Sequence, residues 1–251
     1  MNDTIPEIEA RLAAECDAAL ARYRCRHQGN GFGAVLFDMD GILYDSMPRH
    51  ARAWMHMCYD EGFKATEEEF FASEGRTGAD TIRLLAVRNG RPVPPDDEIK
   101  QLYAIKSRYF AKGDETPVMN GAPSAVATVL QKGAAPVLVT GSGQGSLLTR
   151  LDSDFPGAFP PQRRVTAYDV EHGKPHPEPF LKGAAKAGVM PCYAIGVDNA
   201  PLGVQSATAA GVFTIGVRTG PLVPGTLTAA GADIEVSSMS ECNFLLARLL
   251  H

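Results

Sequence analysis

The chain has 251 residues, of which 45% are hydrophobic and 21% are charged, and its net charge is −5 at pH 7. This composition excludes an intrinsically disordered chain, and the negative charge argues against a general affinity for nucleic acids or anionic membranes. The five cysteines form no C-x-x-C pair, and neither an apolar leader nor an apolar run of membrane-spanning length is present. We therefore expect a cytoplasmic protein whose partners include neither nucleic acid nor membrane.

Residues 1–30 form a predicted N-terminal extension, in which apolar side chains recur at helical spacing over residues 4–26. The spacing predicts one amphipathic helix that ends before Gly29. Three possibilities stay open for this helix: it packs on the rest of the chain, it pairs with a partner chain, or it lies at the periphery.

Six short apolar runs are typical of strands that are buried on both faces. They are GAVLFD (33–38), APVLVT (135–140), RVTAYD (164–169), YAIGVD (193–198), VFTIGV (212–217) and the weaker ADIEVS (232–237), which suits an edge strand. Helices are predicted between them at about residues 121–132, 144–152, 177–187 and 200–210. The alternation predicts an α/β fold with a doubly wound, Rossmann-like parallel sheet as its core.

Residues 48–116 break this alternation, because they contain only helical patterns. Helices are predicted at about residues 47–61, 66–73, 79–89 and 95–112. We interpret residues 48–116 as an all-helical cap domain inserted into a core of residues 31–47 and 117–251. Both linkers lie near the carboxyl end of the first strand, where open α/β sheets bind ligands, so the cap can close over that site.

Two carboxylates follow the first strand, because Asp38 and Asp40 stand in the segment DMDGILYDS. Side chains two residues apart on a strand face the same side, so the pair needs a cation between them or a proton on one of them. Mg²⁺ suits such a pair because it prefers oxygen ligands. Asp38 can then be ligand and nucleophile and Asp40 can carry a proton; the alternative is two acids that only form a turn.

A hydroxyl and a glycine-rich turn end the second core strand, in the segment VTGSGQ (139–144). Exposed backbone N–H groups before a helix are typical of an anion site, although an ordinary strand-to-helix turn has a similar composition. The candidate substrate-binding and catalytic residues of this turn are Thr140, Gly141, Ser142 and Gln144.

Two further motifs follow later strands. Lys174 in GKPHPEPF offers a fixed ammonium for a phosphoryl group, whereas many loop lysines are only solvated. The pair Asp198-Asn199 offers oxygen ligands to a metal, whereas such a pair also caps helices. Because all four motifs lie at the carboxyl ends of predicted parallel strands, we expect them to share one edge of the sheet.

In this order the four motifs resemble those of the haloacid dehalogenase-like superfamily, specifically its branch of β-phosphoglucomutase-like phosphatases with a helical cap. The resemblance covers about residues 33–237, and its most specific motifs are DMDGILYDS and VDNAPLGVQSATAAG. It implies a Mg²⁺-dependent phosphohydrolase that acts on a small phosphorylated metabolite through an aspartyl-phosphate intermediate.

The resemblance also implies a role for each motif residue. Asp38 attacks phosphorus, and Asp40 protonates the leaving oxygen and later deprotonates water. The residues implied to hold Mg²⁺ are Asp38, Asp40 through its backbone carbonyl, Asp198 and Asn199, with the direct ligand of the last pair left open. The residues implied to hold the transferring oxygens are Thr140, Gly141 and Lys174.

The cap loop departs from the pattern of the family. The mutases of this branch carry a lysine and an arginine that grip a sugar phosphate, but Glu74 and Gly78 stand at those positions here. Only Arg76, out of register, offers a cation, which argues against β-phosphoglucomutase activity. We expect hydrolysis of a small phosphate ester, with inorganic pyrophosphatase and phosphosugar mutase as alternatives.

Three cap residues are candidate substrate-binding residues: His50, Glu74 and Arg76. Glu74 either recruits a metal-bound phosphate, rejects an anionic substrate or is simply solvated. His50 either orients Asp40 on closure of the cap or packs near Trp54.

Overall fold

The structure is a computed structural model that describes residues 4–26, 31–112, 115–143 and 145–250. Within these ranges, every helix is too short or too polar to cross a lipid bilayer.

Six parallel strands form one sheet in the order β3-β2-β1-β4-β5-β6. The strands are β1 (Ala34–Phe37), β2 (Ala135–Val139), β3 (Arg164–Val165), β4 (Ala194–Asp198), β5 (Phe213–Val217) and β6 (Ile234–Val236). This order reverses direction between β1 and β4, as in doubly wound folds, and β6 lies at an edge as expected. The predicted Rossmann-like α/β fold is confirmed.

Eleven helices are assigned within the described residues. They are α1 (Ile5–Arg26), α2 (Met47–Asp60), α3 (Glu67–Ala72), α4 (Gly78–Arg88), α5 (Asp96–Lys112), α6 (Ala122–Gln131), α7 (Gly145–Asp154), α8 (Glu178–Ala187), α9 (Pro201–Ala209), α10 (Thr226–Ala229) and α11 (Met239–Leu249). Short 3₁₀ turns precede β3 and β4.

Helices α2–α5 form the inserted all-helical block, which has a hydrophobic cluster of its own. The indole of Trp54 stacks on Phe70 with 5.7 Å between ring centroids, and Met57 and Ile82 are fully buried beside them. Burying side chains of this size contributes roughly 1.5–3 kcal/mol each, so the block has a core independent of the sheet. The predicted boundaries of the cap at residues 48 and 116 remain a prediction.

The N-terminal helix α1 packs on the core of its own chain, which is the first of the three possibilities left open by the sequence. The ring of Tyr23 meets Phe213 edge-on at 5.2 Å, and its hydroxyl donates to the carbonyl of Gly211 at 2.8 Å. At the helix surface, Arg26 pairs with Asp233. Arg248 of α11 donates to the carboxylate of Asp17 through two nitrogens, at 3.0 and 2.6 Å.

Two differences from the predicted elements have local causes. The strand predicted over residues 164–169 stops at Val165, because the Asp169 carboxylate accepts hydrogen bonds from the Thr166 backbone and hydroxyl and folds the chain into a turn. The sequence analysis missed α11, although Ser238 and Glu241 are spaced as in a capping box. The Ser238 hydroxyl accepts a hydrogen bond from the Glu241 N–H, and the Glu241 carboxylate accepts one from the backbone N–H of the preceding residue, Ser237.

We expect the substitution Tyr23→Ala to lower the free energy of unfolding by about 3–5 kcal/mol, because it empties a ring-sized volume beneath α1. Tyr23→Phe keeps the ring and removes one hydrogen bond, so it should cost only about 1 kcal/mol. Urea unfolding of both variants measures the difference. Equal stability of wild type and Tyr23→Ala would show that α1 does not contribute to the core.

Candidate active site

The carboxyl ends of β1 and β4 bring two aspartates to one lysine. Phe37 pairs with Val197 in the sheet, so Asp38 and Asp198 leave adjacent strands at the same level. The Lys174 Nζ, from the loop before α8, lies 2.7 Å from Asp38 Oδ1 and 2.7 Å from Asp198 Oδ2. All three residues are buried. The two predicted motifs and the predicted lysine therefore meet in one ion triad.

With both carboxylates ionised, the triad of two aspartates and one lysine has a net charge of −1. Burial raises the pKa of Asp38 to about 7. The charge of Lys174 lowers this pKa, and the charges of Asp198 and Asp40 raise it further. Although burial works against its charge, the neighbouring carboxylates Asp198 and Asp38 raise the pKa of Lys174 above its ordinary value, so the ammonium stays charged. A second cation would complete the charge balance of this site.

Asp40 follows β1 in a tight turn at Gly41, whose φ is +77°. Its Oδ1 accepts a hydrogen bond from the Ser46 hydroxyl at 2.5 Å and lies 2.9 Å from His50 Nε2. Burial would raise the pKa of this carboxyl, but His50, Ser46 and the charge of Lys106 lower it to about 2. The sequence led us to expect a proton on Asp40, whereas these partners favour its carboxylate form in this state.

Lys106 is a site residue that the sequence analysis missed. Its Nζ lies 2.6 Å from His50 Nδ1, inside a cage of the rings of Trp54, Tyr103 and Phe110. Burial lowers its pKa to about 7, against the raising effect of Asp40. Burial and the charge of Lys106 also lower the pKa of His50.

A signal for Lys106 was present in the sequence. The buried positions of α5 are Ile99, Leu102, Lys106 and Phe110, so a lysine occupies the apolar stripe of an amphipathic helix. A charged residue on such a stripe needs a buried partner, and His50 of α2 is that partner.

The turn after β2 lies against the cap. The Thr140 hydroxyl accepts a hydrogen bond from the Ser142 N–H at 3.0 Å. A Cβ at Gly141 would lie 2.6 Å from the carbonyl oxygen of Gly75, so only glycine permits this approach of core and cap. The predicted residue Gln144 lies outside the described residues.

The cap loop reaches the metal-ligand motif through Glu74. The Asn199 Nδ2 donates to Glu74 Oε1 at 2.8 Å, so the possibility that Glu74 is simply solvated was wrong. Loss of hydration at this junction raises the pKa of Glu74 well above its ordinary value; the Asn199 bond opposes the shift and the charges of Asp38, Asp198 and Asp40 add to it.

A cavity of about 60 Å³ lies between the cap and the first two motifs, and Lys174, Asp198 and Asn199 do not line it. Pockets for drug-sized ligands measure about 300–1,000 Å³, so this cavity suits a small substrate. The predicted site residues that line it are Asp38, Asp40, His50, Glu74, Arg76, Thr140, Gly141 and Ser142. Further lining residues that the sequence did not indicate include Phe70, Thr81, Tyr103 and Lys106. The Arg76 Nε is buried without a hydrogen-bond partner.

The donors at the triad fit a hard cation such as Mg²⁺. Asn199 is 1% exposed and its Oδ1 has no hydrogen-bond partner, which leaves an amide oxygen for another ligand. No cluster of three or more His, Cys, Asp or Glu side chains arranged for a metal occurs in the part of the chain that the structure describes. The fit therefore depends on carboxylate, amide and backbone oxygens together, as is usual for Mg²⁺.

Comparison with known proteins connects this geometry to a family. The model of the family "Haloacid dehalogenase-like hydrolase" matches residues 35–217, which include all four motifs. The chain belongs to the haloacid dehalogenase-like hydrolase family. Among solved structures, this hydrolase is similar to a putative beta-phosphoglucomutase from Bacteroides vulgatus, with 42% identity, a TM-score of 0.88, and coverage of 94% of this chain and 98% of that one.

Curated relatives of the haloacid dehalogenase-like hydrolase include phosphatases. Hexitol phosphatase A from Escherichia coli is 32% identical over 73% of this chain and 82% of its own length. Phosphoglycolate phosphatase from Salmonella typhimurium is 27% identical over 82% of this chain and 89% of its own. The expected family and enzyme class, a haloacid dehalogenase-like phosphatase, are confirmed.

The depressed pKa of Lys106 has a consequence for stability. Between pH 7 and about pH 10 the unfolded chain binds a proton at this lysine that the folded chain does not, so stability relative to Lys106→Met should increase with pH. The expected increase is at most about 1.4 kcal/mol per pH unit. Urea unfolding from pH 7 to 9 measures it.

Lys100→Met is the matched control, because Lys100 lies on the same helix with its side chain 78% exposed. Its stability difference from wild type should not change over this range. A constant difference between wild type and Lys106→Met would contradict the depressed pKa.

Proposed function

We propose that this chain hydrolyses small phosphate monoesters through a covalent phosphoryl group on Asp38, with Mg²⁺ bound beside it. The observation that carries the proposal is the placement of Lys174 within 2.7 Å of both Asp38 and Asp198, where Asp38 also lines a small cavity beside the Thr140–Ser142 turn. Such a site combines a nucleophilic carboxylate with fixed positive charge for the transferring group.

The chemical step is an in-line displacement. A bond forms between an Asp38 carboxylate oxygen and phosphorus while the bond from phosphorus to the leaving oxygen breaks. Lys174, the Thr140 hydroxyl and the Gly141 N–H stabilise the charge on the transferring oxygens. Water then attacks phosphorus, the bond to Asp38 breaks, and inorganic phosphate leaves.

The proton for the leaving oxygen travels through Asp40. Because an ammonium only donates, Lys106 donates to His50 Nδ1, and the neutral imidazole then donates through Nε2 to Asp40. When both protons shift along this chain, from Lys106 to His50 and from His50 to Asp40, Asp40 becomes protonated and then passes that proton to the leaving oxygen. The reverse shift accepts the proton of the attacking water. The low pKa of Asp40 in this state is thereby reconciled with its role as an acid.

Mg²⁺ would be held by Asp38, the backbone carbonyl of Asp40 and the Asp198–Asn199 pair. When bound, it supplies charge neutralisation at the phosphoryl oxygens. The unpartnered Asn199 Oδ1 supports Asn199 as one of the ligands. Glu74 lies beside this pair on the cap side, and its carboxylate would be favoured by a divalent charge nearby.

The substrate is a small phosphorylated metabolite. Relatives whose names state a substrate include phosphatases of hexitol phosphates, fructose 1-phosphate, glycerol 1-phosphate and phosphoglycolate, which supports a phosphate monoester. Mutase activity is disfavoured because Glu74 and Gly78 replace the two cations that would grip a second phosphate. Inorganic pyrophosphate is the second candidate, and the small cavity together with the unpartnered Arg76 Nε favours it.

Asp38→Asn should lower kcat by roughly 10⁴-fold or more while the protein stays folded, because an amide cannot form the phosphoryl bond. Phosphate release and circular dichroism measure the two effects, and mass spectrometry of acid-quenched wild type should detect phosphate on Asp38. Asp152→Asn, on the exposed face of α7, is the control and should keep its activity. Substantial turnover by Asp38→Asn would refute the nucleophile.

Chelation of divalent ions should abolish hydrolysis, and added Mg²⁺ should restore it. Because an ion that binds only the folded state stabilises it, Mg²⁺ should also raise the Tm of wild type. The rise should be smaller in Asn199→Ala, which removes an amide oxygen. Full activity after chelation, or equal Tm shifts in both proteins, would contradict the proposed metal site.

A further inference from the structure

Tyr103 of α5 contacts both the cap loop, at Gly78, and the turn after β2, at Gly143. Gly78 begins α4, and its φ lies outside the left-handed region, so its backbone accepts any residue. A Cβ at this position would nevertheless lie 2.2 Å from Cε2 and 2.3 Å from Cδ2 of Tyr103. Glycine is therefore required at position 78 by the volume of the Tyr103 ring, and not by backbone conformation.

Tyr103 is held in place from several sides. Its hydroxyl accepts a hydrogen bond from the Gly143 N–H at 3.2 Å, which ties helix α5 of the cap to the turn after β2. Its ring lies 6.2 Å from Trp54, and the Lys106 Nζ lies 5.7 Å from the ring centroid. The ring also lines the cavity that contains Asp40 and His50. Its position is thus fixed by both domains that surround the substrate.

This position is on the leaving-group side of the cavity. The leaving oxygen must lie near Asp40, which protonates it, and the phosphoryl group must lie near Asp38 and Thr140. The remainder of the substrate therefore extends toward the cap, where Tyr103 and Trp54 form the wall. The cavity of about 60 Å³ is small, so the part of the substrate beyond the phosphoryl group has limited space.

We propose that Tyr103 sets the upper size of the leaving group, so that this enzyme selects phosphates whose leaving group has only a few non-hydrogen atoms. The proposal rests on the proposed function, because it assigns a substrate size to that same site. The ring and Gly78 act as a pair: the glycine makes space for the ring, and the ring closes the space that a longer leaving group would occupy.

The alternative is that Tyr103 only joins the cap to the core. The two possibilities differ in how the substrate preference responds. Loss of a merely structural ring lowers the activity toward all substrates by a similar factor. Loss of a size-limiting ring changes the ratio between large and small substrates, chiefly through KM.

The test compares kcat/KM for pyrophosphate, ethyl phosphate, glycerol phosphate and a hexitol phosphate. We expect Tyr103→Ala to raise the ratio of hexitol phosphate to ethyl phosphate by about tenfold or more, the size of effect that one well-defined pocket contact gives. Tyr103→Phe keeps the ring and should leave the ratio unchanged. Tyr109→Ala removes the same side chain from another position of α5, outside the cavity, and should also leave it unchanged.

A binding measurement separates this inference from the proposed function. Calorimetric titration with ethylphosphonate and hexylphosphonate reports size preference without turnover, and Tyr103→Ala should gain affinity for the longer ligand relative to the shorter one by a similar factor. An unchanged preference in a folded Tyr103→Ala variant would overturn the inference. If wild type hydrolyses none of the four substrates, the proposed function is overturned. The ratio of the affinities for the two phosphonates would still decide the role of Tyr103.

A double variant tests the pairing with Gly78. Gly78→Ala should disturb the site, because its Cβ displaces the ring, and Gly78→Ala combined with Tyr103→Ala should recover stability relative to Gly78→Ala alone. Additive losses of stability in the double variant would contradict the pairing, because residues in contact are expected to couple.

Discussion

The ammonium of Lys174 is the interaction on which the rest of the site depends. It lies between two buried carboxylates that the parallel sheet places side by side and neutralises one of their two charges, so without it the edge of the sheet would hold two uncompensated charges. Burying ions costs free energy even when they are paired, and apolar side chains of similar volume at these positions would often give equal or greater stability. We interpret the triad as a cost in stability that the fold accepts in exchange for a reactive, desolvated Asp38.

The cap and the core meet through positions where a side chain would not fit. A Cβ at Gly141 would lie 2.6 Å from the carbonyl oxygen of Gly75, and a Cβ at Gly173 would lie 2.6 Å from the Thr77 Cγ2. These contacts allow the cap loop to approach the triad closely enough for Glu74 to bind Asn199. The site therefore lies between the cap and the core, which each have a hydrophobic cluster of their own. The position of the cap sets the shape of the cavity between them.

The sequence predicted what depends on local pattern. Continuous apolar runs predicted the strands, and polar residues at their ends predicted which side chains meet, because the carboxyl ends of parallel strands share an edge. It did not predict the partners contributed by distant helices. Lys106 and Tyr103 reach the cavity because α5 packs against α2 and α4. The apolar stripe of α5 indicates that Lys106 is buried, but the sequence does not show which helices pack around it. The end of β3 was missed because one carboxylate, that of Asp169, competes for the backbone.

The end of α11, where Arg248 binds Asp17 of α1, is a suitable place to attach a reporter to this enzyme. α11 follows β6 and returns to the amino ends of the strands, where Tyr23 and Arg26 contact the residues that precede β5 and β6. The final described residues thus lie about one strand length, roughly 16 Å, from the carboxyl edge that carries Asp38. A dye or an immobilising tether at the end of α11 would therefore leave substrate entry unobstructed.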